Sequence, residues 1–154
     1  IARDMNCRLH ARVDDVFRMC THISVHCNLS DETYHLVDSE RIDLMPGVSP
    51  QGIRCGNHIV NCARGGIVDE DAALSALGRG QLASVALDVF ENEPVNPDSE
   101  LLQHPNFHGT PHIGAATKEA QYRVGMDIGQ AVDTALRTNT CETLVNRSVN
   151  VRTV

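Results

Sequence analysis

There is no tryptophan in this chain, and aromatic residues make up only 3% of it. The core must therefore be built from Val, Ile, Leu and Ala, which suits alternating strands and helices better than an aromatic-rich β-sandwich. No apolar run approaches the ~20 residues that span a bilayer. The opening residues, Ile1-Ala2-Arg3-Asp4, have no apolar h-region and do not read as a secretion signal. They also lack an initiating Met, so the expected start lies upstream. Positive charge is scarce: 13 Lys and Arg face 20 Asp and Glu, a formal net charge of −7. Such a surface repels phosphate backbones, which argues against a nucleic-acid partner. The six cysteines, Cys7, Cys20, Cys27, Cys55, Cys62 and Cys141, form no Cys-x-x-Cys pair. They read as free thiols in a reducing, cytoplasmic setting. Cys62 falls in an apolar strand pattern, where a thiol behaves as a small hydrophobe.

The 154 residues present suffice for one compact domain. Residues 1–12 show no periodicity and stay unassigned. Val13, Val16, Phe17 and Cys20 are spaced for a short amphipathic helix. A strand over His22 to His26, a turn at Ser30 to Thr33 and a short helix over Ser39 to Met45 follow, stopped by Pro46-Gly47. Gly47 to Asn57 reads as an irregular loop. His58 to Ala63 is a second strand. Asp69 is placed to cap the next helix, with Glu70 and Asp71 in its first turn and Gly78-Arg79-Gly80 at its end. Ser84 to Phe90 is nearly all apolar, as a strand buried on both faces should be. A helical turn over Ser99 to Gln103 and a strand over Phe107 to Thr110 come next. A long helix, capped by Thr117, runs to about Arg137, with Ala120, Val124, Ile128, Ala131, Val132 and Ala135 on one face. Gly125 and Gly129 on it suggest a close helix contact. Strands alternating with helices predict parallel βαβ units, an α/β fold.

In an open α/β sheet, ligands sit at the carboxyl ends of the strands. That rule selects Ala63 to Gly66, Asp88 to Glu93 and Thr110 to Gly114. A guanidinium at Arg64 can hold a carboxylate through two parallel hydrogen bonds, and Gly65-Gly66 lets the backbone turn beside a ligand. His112 can exchange a proton near neutral pH, and a carboxylate such as Glu93 would fix its orientation. Taken singly, each also reads as an ordinary loop residue. Asp88 ends a hydrophobic strand, where a bare carboxylate is costly, so it is a candidate ligand contact. His104, His108 and His112 are four apart, but Pro105, Gly109 and Pro111 forbid the helix that would gather them on a metal; no metal is expected.

Three segments then assemble: Val60-Asn61-Cys62-Ala63-Arg64-Gly65-Gly66-Ile67-Val68-Asp69-Glu70, Ala86-Leu87-Asp88-Val89-Phe90-Glu91-Asn92-Glu93-Pro94 and Thr110-Pro111-His112-Ile113-Gly114-Ala115. In this order and spacing they resemble the D-isomer-specific 2-hydroxyacid dehydrogenases, most closely the members acting on 3-phosphoglycerate in serine biosynthesis. The resemblance runs from about Asp14 to Asn150. It implies the second half of a Rossmann-like, parallel-sheet dinucleotide-binding domain. Arg64 would grip the substrate carboxylate, His112 would be the acid/base, and Glu93 would hydrogen-bond His112 and raise its pKa. Asp88 would contact the nicotinamide end of NAD, and Cys62, Ala63, Arg64, His112, Ile113, Gly114 and Ala115 would line the cofactor. The partners implied are a 2-hydroxy or 2-keto acid and, in the complete protein, further copies of itself; no membrane is involved.

The family's G-x-G-x-x-G turn is absent from this sequence, so the pyrophosphate site is expected upstream of Val13. Asn28 stands where the family usually has Pro, and Gly47 to Asn57 looks like an insertion. The expected organisation is a partial NAD-binding domain over 13–116, a crossover helix over 117–137 and a tail over 138–154. That tail, at Leu144-Val145-Asn146, would return toward a missing substrate domain. The chain alone should bind NAD weakly or not at all, and its uncovered sheet edge should favour association. A glyoxylate or hydroxypyruvate reductase, and a non-catalytic NAD-sensing protein of the same fold, remain open alternatives.

Overall fold

The computed structural model describes residues 4, 5, 7–141, 143 and 144. These fall into two compact units, Ile1–His112 and Ile113–Val154. Part of the expected tail, Val145 and Asn146, lies outside the described residues, as does part of the unassigned opening segment.

The first unit is a four-stranded parallel sheet of order β1-β2-β3-β4, with strands β1 (His22–Val25), β2 (His58–Asn61), β3 (Ser84–Leu87) and β4 (Phe107–Gly109). Helices α1 (Val13–Met19), α2 (Ser39–Asp43), α3 (Glu70–Gly78) and α4 (Glu100–Gln103) alternate with the strands. α2 packs on α3, and α3 on α4. Because all strands run one way, their carboxyl ends share one edge, and the loops that leave them are neighbours.

The elements form where the sequence signals are local. Asp69 caps α3 by accepting from Ala72 N at 2.9 Å, and Asp38 does the same for α2 from Arg41 N at 2.8 Å. Gly80, at φ +73, supplies the left-handed turn after α3. Val25, Ile59, Val85 and Leu87 point to one face and are almost fully buried beside Ile42, Ala73 and Ala76. Each large aliphatic in that layer contributes roughly 1.5–3 kcal/mol by leaving water.

Three expectations are corrected. β3 ends at Leu87 rather than Phe90 and alternates buried with half-buried residues, so it is not buried on both faces. Cys62 is exposed, not a strand hydrophobe. β2 stops at Asn61, whose side chain accepts from Ala63 N and donates to Arg64 O, which turns the chain and leaves Cys62 outside the ladder. Gly47 to Asn57 is also more ordered than an irregular loop. Val48 bridges Arg54, and the buried Asn57 ties the segment down through Gly47 N, Met45 O and Gln81 O.

The second unit is dominated by α5 (Lys118–Thr138), with Thr117 Oγ1 accepting from Ala120 N and Asn139 closing it in the left-handed region at φ 53. A Cβ at Gly125 or Gly129 would meet nothing within 4 Å, so among the described residues these glycines mark no close helix contact. All six cysteines are free thiols, and no helix of the described residues is long and apolar enough to cross a membrane.

Candidate active site

The loops leaving β2, β3 and β4 carry the polar residues singled out in the sequence. Glu93, on the loop after β3, reaches the loop after β4: its Oε2 lies 2.7 Å from His112 Nδ1. Its other oxygen accepts from Phe90 N at 3.0 Å, which fixes the carboxylate against its own loop. The His112 hydrogen bond, and then the Phe90 N–H, hold the Glu93 pKa below the ordinary glutamate value. An ionised carboxylate only accepts, so Nδ1 carries a proton and Nε2 is the nitrogen left to exchange one. His112 sits at φ 55, a left-handed conformation unusual for a side chain of its size. Phe90, Glu93, Pro94, Val95, Pro111 and His112 line a hollow of about 200 Å³ around this pair.

Arg64 is exposed and does not touch Glu93 or His112; among the described residues its guanidinium turns back to Ala63 O at 2.7 Å. It has no carboxylate partner there, so its fork stays available for an anion. Asn61 organises the backbone beneath it. Gly65 brings that loop against the one after β3, because a Cβ at Gly65 would lie 1.8 Å from Phe90 O. Only a residue without a side chain permits this approach, and the same Phe90 donates its N–H to Glu93. The Arg64 and Glu93 loops are therefore set at a fixed separation by one glycine.

Asp88 is buried and accepts from Thr110 Oγ1 at 2.5 Å, linking the ends of β3 and β4. It shares a small hollow, about 130 Å³ and mostly apolar, with Cys62, His108, Gly109 and Thr110. Cys62 and Asp88 are thus brought together, with Ala63 and Arg64 on the adjoining turn. Ile113, Gly114 and Ala115 belong to the second unit, where Ile113 O accepts from Ala116 N just before α5.

Sequence reasoning singled out the segments that hold Asn61, Gly65 and Thr110 but missed their supporting contacts, and it missed a second imidazole–carboxylate group formed by His35, Asp69 and Glu91. A polar residue closing an apolar strand, as Asn61 does, was the one signal available. The rest depends on which loops become neighbours.

The family of D-isomer specific 2-hydroxyacid dehydrogenase NAD-binding domains matches residues 2–114. D-3-phosphoglycerate dehydrogenase 2, chloroplastic, of Arabidopsis thaliana is 41% identical over 133 residues, 86% of this chain and 20% of that protein. The D-3-phosphoglycerate dehydrogenase of Methanocaldococcus jannaschii is 40% identical over 137 residues, 87% of this chain and 24% of that protein. A solved glyoxylate reductase from Paecilomyes thermophila superposes with a TM-score of 0.73 at 32% identity, covering 86% of this chain and 38% of its own. The chain spans about a quarter or less of the length of these curated relatives. On that match, over most of its residues, the chain belongs to the D-isomer specific 2-hydroxyacid dehydrogenases, and its sheet is part of their NAD-binding domain.

Proposed function

We propose that this chain supplies the cofactor side of an NAD-dependent oxidoreductase site for a D-2-hydroxy acid, and that the complete protein takes 3-phosphoglycerate. The observation that carries the reading is the Glu93–His112 pair at 2.7 Å, with Arg64, which has no carboxylate partner among the described residues, on another loop at the carboxyl edge of the same parallel sheet. The relatives that share about 40% of its residues carry the substrate assignment.

The hollow over Asp88 fits a flat ring bearing an amide. It is largely apolar, and its one acidic lining group is the Asp88 carboxylate. Cys62, Ala63 and Asp88 would hold the nicotinamide end. Bound NAD supplies the acceptor for a hydride. Arg64 binds the substrate carboxylate as a bidentate pair and so orients C2. Nε2 of His112 takes the hydroxyl proton as the C2–H electron pair leaves and the C2–O double bond forms. Glu93 holds the ring in place and stabilises the imidazolium that results. In the reverse direction the same nitrogen returns the proton.

The decisive assay follows NADH oxidation by the complete protein with phosphohydroxypyruvate, hydroxypyruvate and glyoxylate. Preference for phosphohydroxypyruvate is expected. Preference for glyoxylate would move the assignment to the reductase reading, which the solved glyoxylate reductase supports. NADH binding without turnover would leave a non-catalytic sensor. The present chain should bind NADH poorly, since it contains no G-x-G-x-x-G turn.

A further inference from the structure

Away from the Glu93–His112 hollow, the same edge of the sheet gathers a second set of titratable groups. His35 comes from the turn after β1, Asp69 from the cap of α3 and Glu91 from the loop after β3. One ligand atom from each lies within 4.8 Å of the others. We propose that His35, Asp69 and Glu91 bind one divalent transition-metal cation of the Zn²⁺ class, which ties these three loops together.

The donors are already close to ligand spacing. His35 Nε2 is 3.0 Å from Glu91 Oε1, and Nδ1 is 3.6 Å from Asp69 Oδ2. Ligands around a tetrahedral zinc stand about 3.4 Å apart, given bonds of ~2.1 Å. Nε2 faces Glu91 and Nδ1 faces Asp69, and one ring nitrogen lies within 4.8 Å of an oxygen of each carboxylate. The ring is otherwise held: it stacks on Tyr34 at 4.0 Å, and His35 N donates to Gly66 O at 2.8 Å. His35 also occupies the left-handed region at φ 50.

Charge points the same way. Asp69 and Glu91 have no Lys or Arg partner among the described residues; their ion pairs are with His35 alone. Glu70 adjoins them, exchanging backbone contacts with Glu91. Two carboxylates thus flank one imidazole, with Glu70 adjoining Glu91, an excess of negative charge that a dication would neutralise. One nitrogen and two oxygen donors favour Zn²⁺, Co²⁺ or Mn²⁺ over the all-oxygen preference of Mg²⁺ and Ca²⁺. The competing arrangement is an imidazolium bridging two carboxylates with no ion.

The test uses the chain stripped with a chelator and blocked at its thiols with iodoacetamide, because six free cysteines would otherwise take up zinc. Calorimetric titration with Zn²⁺ should show one ion per chain, weakened about 100-fold in His35→Asn and in Glu91→Gln. Asn tolerates the left-handed backbone, and circular dichroism checks that both variants fold. Zn²⁺ should raise the Tm of the parent by about 5 °C and leave the variants unmoved. Co²⁺ should give a visible spectrum without a thiolate charge-transfer band, and Glu93→Gln should bind like the parent. Absence of stoichiometric binding, survival of binding in both variants, or its loss in Glu93→Gln would each overturn the proposal.

Discussion

Two glutamates on the loop after β3, Glu91 and Glu93, each meet an imidazole from another loop. Both imidazoles sit on left-handed backbone, at φ 50 for His35 and φ 55 for His112. The surroundings differ. His112 has one carboxylate partner and a side chain 51% exposed beside an open hollow. His35 has carboxylates near both ring nitrogens and is 30% exposed. A ring held at one nitrogen can move a proton with the other. A ring with carboxylates near both nitrogens is set between two loops and suits cross-linking instead. The same pair of residue types thus serves two ends, and the third group decides which.

The strongest way to break this contrast is to remove each imidazole in turn. In the complete enzyme, His112→Asn should lower turnover about 10³-fold, the scale of a lost general acid/base. His35→Asn should leave kcat within about threefold, since it touches no reacting atom. Steady-state kinetics with NADH and phosphohydroxypyruvate read both. Equal losses would mean that the two pairs are not distinct in role.

The next test strikes the close contact between the loops after β2 and β3. Gly65→Ala would drive a methyl into Phe90 O, where the Cβ would lie at 1.8 Å. Backbone must move, and the cost should be about 3 kcal/mol in urea unfolding, at the upper end for overpacking. Asp69→Ala should cost about 1 kcal/mol through the lost cap of α3. Asp69→Asn should recover the cap while removing the charge that faces His35. An Asp69→Asn protein no more stable than Asp69→Ala would show that the His35 contact outweighs the cap.

How far the sequence leads depends on whether a feature is local. The strands at His22, His58, Ser84 and Phe107, and the caps Asp69 and Thr117, follow from short-range pattern, and the structure places them there. The ends of β2 and β3 did not follow, because they are set by neighbours: Asp88 N bonds to Asn61 O, and Asn61 folds its own side chain over the next turn. At the site, Arg64, Glu93 and His112 were visible as residue types after apolar strands, and the proximity rule of parallel sheets grouped them. His35 was invisible for the same reason that it is informative. It lies on no strand, and Glu91 is 56 residues away.

The smallest expected effect sharpens the comparison through pH. Glu93 is held below the ordinary value of 4.5 by His112 and then by Phe90 N–H. Folding therefore favours its ionised form. Its contribution is present above pH 4.5 and is lost as pH falls through the lowered folded value. Glu70 behaves oppositely. Burial, aided by Glu91 and Asp71, raises its pKa above 4.5, so folding favours the proton and that contribution fades as pH rises through the raised value. Carbon-detected NMR of the carboxyl groups should find midpoints on opposite sides of 4.5. In urea unfolding from acid to neutral pH, Glu70→Gln should gain on the parent as pH rises, because glutamine still accepts from Glu91 N without the charge. Glu93→Gln should lose ground over the same range. Parallel trends in the two variants would mean that the crowded and the open ends of this loop are electrostatically alike.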